Sequence, residues 1–218
     1  MEILTGRGRS PDLLSKKIKF EEGYHFITMV TNKRIEPFKY RDIAMKAINT
    51  ILFYEKRGDY KLKGYIIMPD HIHMVCEAEV SSRSLDPQKN VILGQQTQNY
   101  PRVRTPLQGS GRSRDLPSII RDIKKYIAKQ AIRCLLNLDE GMLLKIHLPK
   151  PKKKGHTYQF WQPDYYDFNI LTERKLGEKL KYMYENPLRK GLCNNIFDYE
   201  FSDIKRYFGS GDPKLPII

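Results

Sequence analysis

The chain has 218 residues, of which 40% are hydrophobic and 29% charged, so it can bury a core and is not expected to be disordered. Lys and Arg outnumber Asp and Glu by 39 to 25, and the resulting net charge of +14 favours a polyanion, most commonly nucleic acid, as the partner. There is no run of about 18 apolar residues, no apolar secretory segment at the start and no CxxC pair, which together predict a protein of the reducing cytoplasm, associated with the nucleoid.

The first part of the chain predicts a basic arm followed by a strand, a helix and two more strands. Residues 1–20 are polar and basic, and residues 24–30 are rich in the β-branched and aromatic side chains typical of a strand. Residues 40–56 place apolar side chains at helical spacing. Residues 60–79 hold two apolar runs separated by Pro69, which indicates two strands. This order predicts an α+β fold with helices packed on an antiparallel sheet.

The second part begins with a long polar stretch, residues 81–116, which is either a functional flap or partly disordered. Residues 118–136 predict a helix with one apolar stripe, and residues 173–185 predict another, which Asn186-Pro187 is expected to end. We therefore expect a single domain at 21–208, interrupted by the polar stretch and followed by a tail at 209–218.

The clearest local pattern is His71-Ile72-His73. On a strand, alternate side chains share a face, so His71 and His73 project together, with Glu77 further along as an alternative ligand or base. Asp70 is expected to form the turn before the strand. The two imidazoles either share one divalent ion or are partly exposed side chains on a sheet. A metal site needs at least a third protein ligand and an open position.

The helix at 118–136 offers a candidate third ligand. Tyr126 and Gln130 are four residues apart and so lie one turn apart on one face, beside the apolar stripe. If this helix packs under the histidine strand, the amide of Gln130 completes a site toward which the hydroxyl of Tyr126 points. Otherwise Tyr126 is a half-buried core residue and Gln130 is solvated.

Several phrases of the sequence resemble one family of DNA-processing proteins. MPDHIHMV at residues 68–75 resembles the histidine–hydrophobe–histidine motif of the HUH single-strand endonucleases. KKYIAKQ at residues 124–130 is similar to the catalytic helix of the single-tyrosine transposases of the IS200/IS605 type. FWQPDYYD at 160–167 and YMYENPLRKGL at 182–192 resemble the REP-associated tyrosine transposase branch. The polar stretch departs from the compact pattern of that family.

This resemblance implies a fold and a set of site residues. The fold is a ferredoxin-like (RRM-like) antiparallel sheet with helices packed on it and a C-terminal helical and aromatic extension. The family cuts single-stranded or hairpin DNA with a tyrosine and a divalent ion, Mg²⁺ or Mn²⁺. Carried over to this chain, Tyr126 is the nucleophile, His71 and His73 are metal ligands, and Gln130 is the third ligand. Members act as homodimers or as monomers, and both remain open here.

The implied chemistry is consistent with the residues. A phenol, with a pKa near 10, is a weak nucleophile at neutral pH, and a cation on the scissile phosphate neutralises charge and helps the 3′-oxygen leave. A ligand set of nitrogen and oxygen suits Mg²⁺ or Mn²⁺ better than a cysteine-rich site does. Attack by the tyrosine gives a 5′-phosphotyrosine and a free 3′-hydroxyl. Another 3′-hydroxyl can reverse the step and so transfer the strand.

Basic and aromatic side chains are the candidate DNA contacts. Those on the tyrosine helix are Arg121, Lys124, Lys125 and Lys129. Those of the following loop are Lys150, Lys152, Lys153 and Lys154. Trp161, Tyr165 and Tyr166 either stack on bases or close the core.

Two other functions are compatible with the sequence. One is a domesticated relative that recognises structured DNA without cutting it, which the complete histidine, tyrosine and glutamine set argues against. The other is an RNA-binding ferredoxin-like domain. Such domains usually expose aromatic side chains on the sheet, whereas this sheet offers histidines.

Overall fold

Four strands and the main helices follow one another in the order β–α–β–β–α–β. The computed structural model describes residues 23–78, 115–150 and 157–208. Its strands are β1 (Gly23–Val30), β2 (Lys61–Met68), β3 (His71–Ala78) and β4 (Tyr166–Ile170). Its helices are α1 (Arg41–Lys56), α2 (Leu116–Leu138), α3 (Glu140–Lys145), α4 (Glu173–Tyr184), α5 (Asn186–Arg189) and α6 (Ile204–Phe208). The strands form one antiparallel sheet in the order β2-β3-β1-β4, which confirms the α+β class and the ferredoxin-like arrangement.

Some predicted features lie outside the described residues. These are the basic arm at 1–20, almost all of the polar stretch at 81–116, the lysines at 152–154 and the tail at 209–218. The domain boundaries given above therefore stay a prediction.

The structure extends one predicted helix by two residues at each end and adds one strand that was not predicted. α2 begins at Leu116 because Asp115 caps it, accepting a hydrogen bond from the backbone N–H of Ser118, and because Pro117 fits the first turn. β4 was not predicted as a strand. It is only five residues long, and Asp167 and Asn169 interrupt its aromatic residues, so periodicity gave a weak signal.

The two faces of the sheet bury different helices. Ile72, Met74 and Cys76 of β3 belong to a large core cluster with α1 and the apolar stripe of α2. The opposite face holds Val75 of β3 in a smaller cluster with Met183 of α4 and its neighbours. His71 and His73 share the face of Val75 because they alternate with Ile72 and Met74.

In the α4–α5 segment, α4 ends at Tyr184 with Glu185 as its C-cap, and the short helix α5 begins at Asn186, which confirms the predicted end of the helix at Asn186-Pro187. Glu185 keeps a right-handed helical conformation, and its N–H donates to the carbonyl of Lys181 at 3.0 Å. Pro187 falls in the first turn of α5, where a missing N–H removes no helical hydrogen bond. Tyr182 and Asn186 therefore lie one turn apart on this segment.

Two contacts hold α4 against the sheet. A Cβ at Gly64 of β2 would lie 2.7 Å from the hydroxyl of Tyr184 and 2.8 Å from the methyl of Met183, so the glycine allows the helix to approach closely. The hydroxyl of Tyr184 donates to Asp203 at 2.9 Å, and the N–H of Tyr65 in β2 donates to the same carboxylate oxygen at 2.8 Å. The residues around Asp203 also cover the β2 edge, where the N–H of Ile67 donates to the carbonyl of Phe201.

Asp203 should make folding stability depend on pH. Burial raises its pKa to about 6, against the lowering effect of its hydrogen bonds, so the folded state binds a proton more tightly than the unfolded state. This contribution is full below about pH 4 and is lost as pH rises through about 6. A shift of about two units corresponds to about 3 kcal/mol in the free energy of unfolding.

We expect Asp203→Asn to remove that fall in stability between pH 4 and pH 6, because an amide keeps an acceptor for Tyr65 and Tyr184 but does not titrate. The measurement is urea unfolding at a series of pH values, with exposed Asp164→Asn as the control. If the free energy of unfolding of the variant fell with pH in parallel with that of the wild type, Asp203 would not be the titrating group.

Candidate active site

Two histidines meet in the buried space between the sheet and the α4–α5 segment. β3 begins at His71, directly after the turn at Pro69-Asp70, and its alternation puts His73 on the same face. Only 6% of His71 and 5% of His73 is exposed, and their Nε2 atoms lie 3.1 Å apart. The alternative of two partly exposed histidines therefore does not describe this chain.

Asp70 orients the first imidazole. Its carboxylate lies 2.5 Å from Nδ1 of His71 and also accepts a hydrogen bond from Arg34 at 3.0 Å. Burial favours the neutral acid, but the hydrogen bond to His71 and the guanidinium of Arg34 outweigh it and lower the pKa of Asp70 to about 2. An ionised Asp70 holds the proton of His71 on Nδ1, which leaves the lone pair of Nε2 directed at His73.

Thr28 orients the second imidazole. Its hydroxyl oxygen lies 2.8 Å from Nδ1 of His73. Burial, together with the charges of His71 and Arg189, lowers the pKa of His73 to about 3, so this ring is neutral at pH 7. When Nδ1–H donates to Thr28, the Nε2 atoms of both rings carry lone pairs that face each other. In that tautomer, a proton or a metal cation between the two nitrogens would remove the repulsion of their lone pairs.

A buried amide joins the two imidazoles. The Nδ2 atom of Asn186 in α5 lies 2.9 Å from Nε2 of His73, and 6% of the residue is exposed. Rotation of the amide by half a turn presents its oxygen at the same place. Two imidazole nitrogens and one amide oxygen form a ligand set that accepts Mg²⁺ or Mn²⁺. Across the described ranges no three His, Cys, Asp or Glu side chains converge, so a cation here would rely on this amide.

Tyr182 brings a phenol to the same place. It lies one turn before Asn186, and its ring centroid is 5.9 Å from that of His73. The residue is 47% exposed, so its hydroxyl group can be reached from solvent. The guanidinium of Arg189 lies 4.6 Å from the ring centroid and donates a hydrogen bond to the Tyr182 carbonyl, which holds this turn of the helix.

These groups open into one basic cleft of about 440 Å³. The side chains that line it are Phe26, Thr28, Val30, Arg34, His71, His73, Tyr166, Lys179, Tyr182, Asn186 and Lys190. Of the described residues that line it, three are cationic and none is a carboxylate, although Asp70 pairs with Arg34, so the cleft favours an anionic ligand. A phosphate beside the imidazoles would be surrounded by Arg34, Lys179 and Lys190.

Tyr126 and Gln130 are on α2, away from the histidine cleft. α2 buries its stripe on the face of the sheet opposite the histidines, and neither residue lines the cleft. The amide of Gln130 donates to the hydroxyl of Tyr126 at 2.7 Å, and burial raises the pKa of that phenol. The expected packing of α2 under the histidine face is therefore not found. Their roles as nucleophile and ligand stay a prediction that would need a second copy of the chain.

The predicted DNA contacts are also dispersed. Arg121, Lys125 and Lys129 are exposed on α2, away from the cleft, and Lys150 is exposed in its loop. Lys124 instead donates to the carbonyls of Gln162 and Asp164, at 3.2 and 2.9 Å, and burial lowers its pKa. Trp161 is buried and donates to the carbonyl of Lys124 at 2.8 Å, so it closes the core. Glu77 forms an ion pair with Lys63 at 3.0 Å.

Tyr182 and Asn186, which lie beside the histidines, were not among the predicted site residues, although the sequence contains a signal for them. YMYEN repeats the spacing of KYIAKQ, with a tyrosine four residues before a side-chain amide. α4 ends before Asn186 as predicted, but Glu185 keeps helical backbone angles, so Asn186 still follows Tyr182 by about one turn. Which of the two tyrosine–amide pairs lies near the histidines depends on the face of the sheet against which its helix packs.

Comparison with known proteins supports the fold. No family profile matches the sequence, and no curated protein is detectably similar in sequence. The chain is similar in structure to a REP-associated tyrosine transposase bound to a REP hairpin, with a TM-score of 0.51 over 90% of this chain and 88% of that one, at 17% identity. At this identity the likeness establishes the shared fold alone.

In the parts of the chain that the structure describes, no helix has the length and apolarity to cross a bilayer.

The geometry predicts that the amide of Asn186, and not that of Gln130, contributes to divalent metal binding. We expect Asn186→Ala to weaken Mn²⁺ binding roughly 10-fold or more, because a ligand is at least as important as the outer partners that orient it. Gln130→Ala is the matched control, since it also removes an amide, and should leave the affinity unchanged. Isothermal titration calorimetry measures both, and thermal melting checks folding. Equal affinities for the wild-type protein and Asn186→Ala would exclude Asn186 as a ligand.

Proposed function

We propose that this protein is a metal-dependent endonuclease and strand transferase, a transposase-like enzyme, that acts on single-stranded DNA beside a hairpin. The observation that carries the proposal is the meeting of two imidazoles, a buried amide and an accessible phenol in one basic cleft. The structural similarity to a tyrosine transposase bound to a REP hairpin supports hairpin DNA as the partner.

His71, His73 and Asn186 would hold Mg²⁺ or Mn²⁺. When bound, the ion neutralises charge on the scissile phosphate and on the leaving 3′-oxygen. Asp70 and Thr28 keep the imidazoles in position through their outer ring nitrogens. Arg34, Lys179 and Lys190 add positive charge around the phosphate, so the strand is attracted even before the metal acts.

Tyr182 is the nucleophile that the geometry favours. Its phenolic oxygen attacks phosphorus, its proton passes to water, and the bond between phosphorus and the 3′-oxygen breaks. The 3′-oxygen takes a proton from water and leaves as a hydroxyl, while the 5′-phosphate stays linked to the tyrosine. Because the phosphotyrosine is still a phosphodiester, a second 3′-hydroxyl can attack it and release the tyrosine. Strand transfer then requires no nucleotide hydrolysis.

Placement of the phenol also bears on oligomeric state. Tyr182 and the two imidazoles come from one chain, so a monomer holds all four groups of the proposed site. Tyr126 would instead have to come from a partner copy, because its helix packs on the other face. The two nucleophile assignments therefore predict different active species.

The test compares Tyr182→Phe with Tyr126→Phe as the matched control. Wild-type protein is incubated with Mn²⁺ and a labelled DNA hairpin that carries a single-stranded flank, and the covalent adduct is measured on a denaturing gel. We expect Tyr182→Phe to lower adduct formation by a factor on the order of 10⁴ or more, because the nucleophile is lost, while hairpin binding is retained. Tyr126→Phe should still form the adduct.

Loss of the covalent adduct in Tyr126→Phe alone would instead identify the tyrosine of α2 as the nucleophile and would require a dimer. A wild-type protein that binds the hairpin but forms no adduct with either Mg²⁺ or Mn²⁺ would favour the non-cutting DNA-binding alternative. In that case the cleft would still recognise DNA through its cations.

A further inference from the structure

One row of side chains crosses the sheet from the histidines to its β4 edge. His73 of β3 is the register partner of Thr28 in β1, and Thr28 is the register partner of Tyr166 in β4. Register partners project from the same face, so Tyr166 lies on the histidine face, two strand spacings from His73. That distance is roughly 10 Å, within reach of a nucleotide next to a phosphate held at the imidazoles.

The ring of Tyr166 forms an accessible wall of the cleft. The residue is 47% exposed and lines the same cavity as the two histidines. Its ring lies nearly parallel to that of Phe168, with 14° between the planes and 6.5 Å between the centroids. Phe168 is partly buried against the smaller core cluster, so the ring next to Tyr166 is itself packed in the core.

A cation lies beside this aromatic pair. Nζ of Lys179, on α4, is 4.4 Å from the ring centroid of Phe168 and 5.0 Å from that of Phe26. Lys179 also lines the cleft, and burial lowers its pKa. An aromatic face with an ammonium group at its side is the combination that single-stranded nucleic acid uses, since the base stacks and the phosphate pairs with the cation.

We infer that Tyr166, next to Phe168 and flanked by Lys179, is a stacking site for one unpaired DNA base whose neighbouring phosphate lies at His71 and His73. This inference rests on the proposed function, because it places the strand in the same cleft. Of the three aromatic residues considered for stacking, Trp161 is buried and Tyr165 packs on the opposite cluster. Tyr166 alone of these three presents its ring to the cleft. The site accepts any base, because every base has a π-face.

The test measures binding without cleavage. Fluorescence anisotropy is recorded in EDTA with labelled DNA hairpins whose single-stranded flank carries one abasic nucleotide at successive positions. For the wild-type protein we expect one position at which the abasic substitution weakens binding roughly 10-fold. Tyr166→Ala should weaken binding of the intact flank by the same factor and be insensitive to the abasic substitution at that position. Tyr166→Phe should behave as wild type.

Leu171→Ala is the control variant, because Leu171 is an exposed apolar residue directly after β4 and does not line the cleft. Equal binding of the intact flank by wild type and Tyr166→Ala would overturn the inference, as would a wild-type protein that is indifferent to every abasic position. Tighter binding of an RNA flank, with the same dependence on Tyr166, would overturn DNA as the occupant. If the abasic pattern appears but no covalent adduct forms with metal, the nuclease proposal fails while the stacking site stands.

Discussion

The site depends on the close approach of two buried imidazoles. Burying polar groups is unfavourable unless their hydrogen-bonding capacity is used, and the outer nitrogens of His71 and His73 are occupied by Asp70 and Thr28. The inner nitrogens then face each other and Asn186. A core built for stability alone would place apolar side chains at these positions, as β3 does at Val75 on the same face. This arrangement is the geometric basis of the cation site proposed above.

The position of α4–α5 determines which tyrosine reaches that site. Gly64 lets the helix approach the sheet, and the shared hydrogen bonds of Asp203 connect Tyr184 to the β2 strand. Because Tyr184 faces the sheet, Tyr182 turns toward the solvent side of the cleft, and Asn186, one turn later, turns back toward His73. A change in the packing of Tyr184 would therefore move the Tyr182 phenol and the Asn186 amide together. The stability of this helix and the geometry of the proposed site are thus coupled.

Much of the fold could be predicted from sequence because its signals are local. The apolar periodicity of α1 and α2 and the two runs around Pro69 gave elements that the structure confirms, and alternation alone placed His71 and His73 together. Spacing alone could not show which tyrosine and amide pair lies beside the histidines, because Tyr126 with Gln130 and Tyr182 with Asn186 have the same spacing. Only tertiary packing shows that α2 covers one face and α4–α5 the other. β4 was missed because a short strand with polar residues gives little periodicity.

The two outer strands of the sheet differ in a way that matches the proposed path of DNA. The β2 edge is covered, since the carbonyl of Phe201 and the carboxylate of Asp203 accept hydrogen bonds from its backbone. At the other side of the sheet, β4 presents Tyr166 and leads directly into the α4–α5 segment, which carries Lys179, Tyr182 and Asn186. A strand entering from the β4 side would meet the aromatic ring first and the imidazoles next. The base that stacks on Tyr166 would then determine which phosphate of the strand lies next to the phenol. Binding of the strand would thereby also select the scissile bond.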